Sequence, residues 1–260
     1  MTDPIKHIDA VRDFYDSLSE DYDLMTQFSE RFPRERPHFQ ELLERFHVRR
    51  ALDAGSGTGF HSILLAQLGV QVTAVDISPK MITALRGHVQ QYGLEVKSFV
   101  SGFREIPEIV GGTFDAVFCM GNSLAHATSR EELVSWLCAF GDVLLSDGVL
   151  ILQNLNYDHI LAQRRKIQST KEVGSKSFTR FYDYEGERVI FNILTAEGTD
   201  RGIKERLRKV SLFPLKKSDL VDALESAGFS DIQTFGGISL DPFHAETSKD
   251  LVISARLKKK

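Results

Sequence analysis

Arg50-Ala51-Leu52-Asp53-Ala54-Gly55-Ser56-Gly57-Thr58-Gly59 sets a short apolar run, an acidic residue and three alternating glycines side by side. Phe60 to Leu68 follows with apolar residues at Ile63, Leu64, Ala66 and Leu68, the spacing of a helix packed on a sheet. Glycines at a strand-to-helix turn lack Cβ atoms, so they take positive φ and let a ligand lie against the backbone. The first turn of the helix meanwhile offers unpaired N–H groups. The spacing is G-x-G-x-G, not the G-x-G-x-x-G of dinucleotide sites. Asp53 would repel a pyrophosphate, but it suits a ligand bearing an ammonium or sulfonium charge. The stretch therefore predicts a nucleotide-type site for a positively charged ligand.

One strand later, Val70 to Val75 alternates and ends in Asp76-Ile77-Ser78-Pro79. A carboxylate at the tip of a second parallel strand accepts both hydroxyls of a ribose, and Ile77 would then lie against an adenine face. Ser78 and Pro79 read as the N-cap and first position of the next helix, with Met81 turned back toward the site.

These motifs, together with Phe114-Asp115-Ala116-Val117-Phe118-Cys119-Met120-Gly121-Asn122-Ser123, resemble the class I S-adenosylmethionine-dependent methyltransferases over nearly the whole chain. Gly121 to His126, followed by Asn156-Tyr157-Asp158 after the next strand, is similar to the glycine and sarcosine N-methyltransferases. The resemblance implies S-adenosyl-L-methionine as cofactor. It also implies that Asp53 and the backbone of Ala54, Gly55, Ser56 and Gly57 approach the methionyl portion, with Asp76 on the ribose and Phe103 against adenine. Met120 would line the floor. Arg31 falls where relatives place an arginine for the cofactor carboxylate, with Arg34 and Arg36 as alternates. In similar enzymes the N-terminal helix closes over the cofactor; here Tyr15 and Tyr22, seven residues apart, would share one face and bring a hydroxyl to the methionyl end.

Two departures from the family pattern bear on specificity. Relatives that methylate glycine carry an arginine just before the N-Y-D triplet, and this chain has Leu155 there. Leucine offers no substitute for a bidentate guanidinium clamp, so glycine is an unlikely acceptor on this reading. Ser101-Gly102 likewise replaces the polar or acidic pair that often meets the adenine amine, which leaves that contact unassigned.

Methyl transfer is an in-line displacement that depends mainly on holding the nucleophile near the methyl group in a dry pocket. A base is needed when the acceptor is protonated. His126, after the Gly121-Asn122-Ser123 strand end, is the candidate base or else a structural histidine, and Asn122 and Tyr157 read as orienting groups. Arg180, Arg206 and Arg208 stay outside the candidate site, because strand-face arginines usually point to water.

The helical patterns cover about 8–22, 37–46, 60–68, 79–92, 130–145 and 218–227, with Ser129 and Glu132 as a capping box. Strands near Ala51, Val72, Val96, Ala116 and Val149 to Leu155 alternate with these helices in the rhythm of a parallel sheet. Ser177 to Tyr184 and Val189 to Thr195 read as a hairpin around Glu185-Gly186-Glu187, and Ile203 to Phe213 as a further extended segment. Leu251 to Leu257 would return to the main sheet beside the segment ending at Phe213. The expected fold is α/β: a Rossmann-like, doubly wound, mostly parallel seven-stranded sheet with an antiparallel C-terminal strand and an inserted antiparallel cap. We read 1–260 as one unit, with a helical lid (1–48), a cofactor-binding core (49–155), a cap (156–213) and a sheet completion (214–260).

A net charge of −4 without a basic, aromatic-interleaved stripe speaks against nucleic acid and for a small-molecule acceptor. The Lys258-Lys259-Lys260 tail reads as a solvated terminus. No apolar run spans a membrane, and Met1-Thr2-Asp3-Pro4 lacks the features of a secretion signal, so we expect a cytoplasmic protein with no membrane partner. Cys119 and Cys138 both read as buried packing, with neither a disulfide nor a metal site indicated. The sequence leaves oligomeric state open. Competing readings are a nicotinamide-dependent oxidoreductase, which Asp53 and the glycine spacing oppose, and a regulatory protein that binds S-adenosylmethionine without turnover.

Overall fold

The computed structural model describes residues 4–200 and 202–258; residues 1–3, 259 and 260 of the terminal segments considered above lie outside them. Helices α1 (Pro4–Thr26) and α2 (Phe28–Phe46) precede an alternating run: β1 (Arg50–Ala54), α3 (Phe60–Gln67), β2 (Gln71–Asp76), α4 (Pro79–Gln91), β3 (Val96–Val100), α5 (Ile106–Ile109), β4 (Phe114–Cys119), α6 (Arg130–Asp142) and β5 (Leu144–Leu155). After α7 (Tyr157–Gln163) come β6 (Ile167–Val173), β7 (Lys176–Glu185), β8 (Arg188–Thr199) and β9 (Gly202–Leu212). The described chain closes with α8 (Lys217–Ser226), β10 (Phe229–Phe235) and β11 (Asp250–Leu257).

The main sheet has seven strands in the order β10-β11-β5-β4-β1-β2-β3, and β6 to β9 form a separate four-stranded sheet. The pairings from β3 across to β5 are parallel, whereas β11 runs antiparallel to both β5 and β10. Strands covered on both faces need continuous apolar runs, and β4 and β5 have them: Ala116 to Cys119 and Val149 to Leu152 are buried throughout. One apolar cluster, containing Leu52, Val117, Leu137 and Phe140, fills the face under α6 and α8. Another, containing Phe39, Ala51, Ile63 and Phe118, fills the face under α2 and α3.

Several expectations need correction. The final strand does not lie beside the segment ending at Phe213; that segment belongs to β9, which pairs with β8 in the second sheet, and β11 pairs with β5 and β10. β10 escaped the sequence reading because its burial alternates only loosely along Phe229–Phe235 and its ladder with β11 shifts register between Ser230 and Gln233. The sixth strand was missed for a similar reason: β6 is a half-exposed edge strand. Helix α6 stops at Asp142, since Leu144 begins β5. On α6 the residues facing the core are Leu133, Trp136, Leu137 and Phe140, and this phase leaves Cys138 exposed, not buried; Cys119 is buried as expected. The Ser129 cap accepts from the Glu132 N–H, but the Glu132 carboxylate binds the Thr128 N–H and hydroxyl, so the box is displaced by one residue.

Arg208 also departs from expectation. Strand β9 pairs it with Ile193 on the face that packs against α1, where it is 6% exposed. It donates to Asp21 (2.9 Å), to the Ser17 carbonyl (3.0 Å) and to the Thr195 hydroxyl (3.0 Å). Helix α1 is thereby fastened to the second sheet, with Phe14, Leu18 and Met25 buried against Phe178, Tyr182 and Val210.

Candidate active site

The turn after β1 is built as its glycines require. Gly55, Gly57 and Gly59 have φ of +77°, +56° and +94°. A Cβ on Gly55 would stand 2.7 Å from Ser123 Oγ, and one on Gly59 would stand 2.7 Å from Leu85 Cγ. The first glycine therefore lets the turn after β4 approach, and the last lets α4 pack against α3. The turn faces a cavity of about 500 Å³ at the carboxyl ends of the parallel strands. The far wall comes from α1, through Val11, Tyr15 and Tyr22.

Asp76 ends β2 inside this cavity and accepts the N–H groups of Gly57 (2.8 Å) and Ser78 (2.9 Å). Burial nevertheless outweighs those bonds and pushes its carboxyl up to about 6. Ser78 caps α4 by accepting the Met81 N–H, and its own hydroxyl donates to Asp16 of α1, which ties the lid helix to the Asp76 loop. Asp53 lies beneath the glycine turn and is fully buried; Oδ2 accepts the Ser62 hydroxyl (2.6 Å) and Oδ1 has no partner. Burial, with the Asp76 charge as a lesser cause, raises Asp53 to about 7. A cation arriving above the turn would favour its ionised form.

The structure gathers Tyr15, Tyr22, Arg31, Gly55, Ser56, Gly57, Asp76, Ile77, Phe103, Met120 and His126 around the one cavity. It sets Asp53, Ala54, Met81, Asn122 and Tyr157 behind the wall. Met81 is fully buried under α4, because its helical phase turns it into the sheet instead of back toward the ligand. Tyr157 is also fully buried, and its hydroxyl accepts from Asn122 Nδ2 (2.9 Å), while Asn122 Oδ1 accepts the Leu155 N–H (3.1 Å). Asn122, at φ +76°, therefore uses its side chain to lock the end of β5 to the turn after β4, which corrects the direct orienting role expected for the pair.

His126 lines the cavity and exchanges a 2.8 Å hydrogen bond with the Tyr15 hydroxyl through Nε2, and its Nδ1 is buried without a partner. Burial, reinforced by His7, lowers its pKa to about 3. An imidazole held that low stays neutral at pH 7 and takes up a proton poorly, so its surroundings do not suit a general base. Of the three candidate arginines, Arg31 reaches the cavity. It stacks on Phe60 (3.7 Å), pairs with Glu35 (2.8 Å) and leans toward His61. Arg34 is largely exposed.

Sequence reasoning missed Trp136, which packs edge-on against Phe103 (5.1 Å) and lines the cavity. Its signal was helical phase, as it shares the buried face of α6. Glu105 was also missed: its carboxylate lies 2.8 Å from where a Gly102 Cβ would be, so the glycine at that position gives an acid access to the Phe103 end of the cavity.

The residues fit S-adenosylmethionine on the structure's own terms. The cradle excludes a Cβ at Gly55, an acid sits at the ribose position, and partnerless polar atoms on Ser56 and His126 belong to residues of the cavity wall. Among the described residues no cluster of His, Cys, Asp and Glu could hold a metal ion, and no helix is long and apolar enough to cross a membrane.

Residues 51–148 match the family model of the methyltransferase domain. The glycine/sarcosine N-methyltransferase of Aphanothece halophytica is 31% identical over 232 residues, covering 86% of this chain and 82% of that one. An S-adenosylmethionine-dependent methyltransferase from Clostridium acetobutylicum superposes with a TM-score of 0.80 at 16% identity, covering 94% of this chain and 99% of that one. The sugar N-methyltransferase KedS8 from Streptoalloteichus superposes with a TM-score of 0.72 at 19% identity, covering 91% and 93%. At such identities the two structures speak to the fold alone. The glycine turn, the acid at the tip of β2, the seven-stranded sheet and the relative matched over most of both chains converge on one conclusion: this chain belongs to the class I S-adenosylmethionine-dependent methyltransferases.

Proposed function

We propose that the protein methylates the amine of a small molecule, with S-adenosylmethionine as donor. The observation that carries the choice of amine over hydroxyl is the seating of His126: a hydroxyl must lose a proton in or before attack, whereas His126 Nε2 is taken by the Tyr15 hydroxyl and its Nδ1 is buried. An amine that enters as the free base needs only position and a dry site. The N-methyltransferase name of the relative from Aphanothece supports the same choice.

Bound in the cavity, the cofactor supplies an electrophilic methyl group. Asp76 would hold the ribose hydroxyls, Phe103 and Ile77 the adenine faces, Glu105 the adenine amine and Arg31 the carboxylate. The backbone of Ala54 to Gly57 above Asp53 would receive the methionyl portion. Tyr15 and His126, joined by their hydrogen bond, would close the acceptor side and exclude water. In this reading the whole chain acts as one catalytic unit, α1 and α2 serving as its lid, in the cytoplasm.

Leu155 alone does not remove glycine from consideration, since relatives named for glycine and sarcosine match most of the chain. Both belong in the acceptor panel. The test is release of S-adenosylhomocysteine with amines and with matched alcohols and phenols. Methylation of hydroxyls in preference to amines would overturn the proposal, and cofactor binding without turnover on any acceptor would favour a regulatory protein.

A further inference from the structure

The histidine near the end of α4 is held from two other elements at once. His88 Nδ1 lies 2.8 Å from the Thr58 carbonyl, and its Nε2 lies 3.0 Å from Asp23 Oδ2. Thr58 belongs to the glycine turn, whereas Asp23 belongs to α1. The Thr58 hydroxyl closes the circuit by donating to Asp23 Oδ1 (2.6 Å).

These two contacts decide the protonation of the ring. A carbonyl can only accept, so Nδ1 must carry the hydrogen that Thr58 receives. A neutral imidazole has a single N–H, and Nε2 would then point a lone pair at a carboxylate. Both contacts are attractive together only when His88 is an imidazolium, with a proton on each nitrogen. The surroundings favour that charge. His88 lies in the last turn of α4, at the negative end of the helix dipole, and packs on the Phe28 ring with 4.4 Å between centroids. Among the described residues, α1 turns the Asp23 carboxylate toward it, the glycine turn the Thr58 carbonyl, and α2 the uncharged ring of Phe28. On α4 itself, Arg86 is drawn off to Ser98 of β3. The Asp23 hydrogen bond raises the His88 pKa above the ordinary value; partial burial opposes this, and the Thr58 carbonyl adds to it.

Loss of one proton therefore breaks a tether between α1 and the cofactor site. Tyr22 precedes Asp23 on α1 and packs over Gly57, where a Cβ would stand 3.7 Å from its ring. Tyr22, Gly57 and Thr58 all line the cavity.

We propose that His88 is a positioning residue of the cofactor site: as an imidazolium it latches α1 to the glycine turn, keeps Tyr22 over bound S-adenosylmethionine, and lets go as pH rises. The inference adds a control of the site by proton concentration and is independent of the acceptor. Its sign is fixed. A histidine whose pKa is raised on folding stabilises below its unfolded value of about 6.5 and ceases to do so as pH rises through the higher folded value. Asp53 and Asp76 act in the opposite direction, because they ionise as pH rises and then favour the cationic cofactor. Faster release of the cofactor at higher pH cannot come from them.

Trp136, the chain's single tryptophan, lines the cavity and can report cofactor release by stopped-flow fluorescence. In the wild type the dissociation rate of S-adenosylmethionine should rise about three- to tenfold from pH 6 to pH 9, as expected for loss of a partly exposed charge-assisted contact. His88→Asn can still donate to Thr58 but is too short for Asp23, and it should release the cofactor at the fast rate across the whole range. His88→Gln, whose amide can meet Asp23 without titrating, should be slower than His88→Asn and equally flat. Asp23→Asn should lose the pH dependence as well. Thermal melts at pH 6 verify that each variant is folded. NMR of the ring nitrogens makes the same test without a variant, since the His88 titration midpoint should lie above about 6.5. A wild-type rate that does not rise with pH, a His88→Asn protein that keeps the wild-type profile, or a His88 midpoint at or below about 6.5 would each overturn the inference.

Discussion

Replacing Asp21 with alanine removes the one carboxylate that Arg208 touches among the described residues. The side chains of Arg208 and Asp21 are 5% and 9% exposed, so the guanidinium cannot turn to water without lifting α1 from the second sheet. It would keep two neutral partners, the Ser17 carbonyl and the Thr195 hydroxyl. Breaking a buried pair from one side costs about 3–5 kcal/mol, chiefly because a charge is stranded. Lys176, 27% exposed, can swing outward and adds about 0–1 kcal/mol. We therefore expect Asp21→Ala to lose roughly 3–5 kcal/mol in urea denaturation, a large share of a typical domain's stability. Pairing it with Arg208→Met removes the stranded charge, and the double variant should recover at least half of the loss, since apolar replacements of buried pairs are often neutral or stabilising. A loss below about 1 kcal/mol for the single variant, or no recovery in the double, would refute the stranded-charge argument. The pair also sets a pH limit. Lys176 and Arg208 hold the Asp21 carboxyl below the ordinary carboxylate range despite its burial. A carboxyl depressed on folding stabilises above its unfolded pKa of about 4 and ceases to do so as pH falls through the lower folded value. The urea midpoint should therefore drop below about pH 4 in the wild type and respond less in Asp21→Ala.

Asp76→Ala should weaken S-adenosylmethionine binding by about 1.5–3 kcal/mol, the worth of a charge-assisted hydrogen bond, and isothermal calorimetry reads this directly; unchanged affinity would mean that the tip of β2 does not hold the ribose. Gly55→Ala should abolish measurable cofactor binding and lower the melting temperature, because the new methyl meets Ser123 at 2.7 Å on a backbone with φ of +77°; normal binding would show that the turn yields. Asp53 and Asp76 are raised to about 7 and about 6, so the folded apo protein holds protons that the unfolded chain has already released. Their contribution to apo stability should fall as pH rises from about 4 to about 7 and level off above. Cofactor affinity should run the other way, tightening from pH 5 to pH 7 as the carboxylates ionise, and Asp76→Asn should flatten the lower part of that curve.

The cofactor half of the site was legible because its determinants are local. A glycine turn with an acid before it, and a second acid at the next strand tip, fix backbone and charge within one strand–helix–strand unit, from Asp53 to Asp76. The C-terminal half was less legible because its partners are distant in sequence. Nothing near β9 announces that Arg208 meets Asp21, 187 residues away, and β6 and β10 carry weak alternation because they lie at sheet edges. Asn122 and Tyr157 show a different limit. Their positions after β4 and β5 suggested side chains aimed at a ligand, but Tyr157 is buried and the Asn122 amide is engaged by the Tyr157 hydroxyl and the Leu155 N–H. Glu105 was hidden in the opposite sense, since a glycine three residues earlier was what gave its carboxylate room.

Helix α1 connects the two halves and constrains how the site can open. Val11, Tyr15 and Tyr22 face the cavity, whereas Phe14, Leu18, Asp21 and Met25 face the second sheet, so one helix has two packed sides. Asp16 adds a tether to Ser78, beside the ribose acid, and Asp23 adds another by accepting from Thr58 of the glycine turn (2.6 Å) and pairing with His88 (3.0 Å). Moving α1 away from the cofactor as a rigid body would break these polar contacts and the Arg208 pair together. Sliding α1 and the second sheet as a single unit would keep the buried Asp21–Arg208 pair, but it would break the Asp16, Asp23 and His7 contacts and uncover Ala125 and Tyr157, which share an apolar cluster with α1 and the second sheet. The buried Arg208–Asp21 pair thus opposes separation of α1 from the second sheet. On that geometry Tyr15 and Tyr22, both on α1 and both lining the cavity, would travel with the second sheet as the site opens.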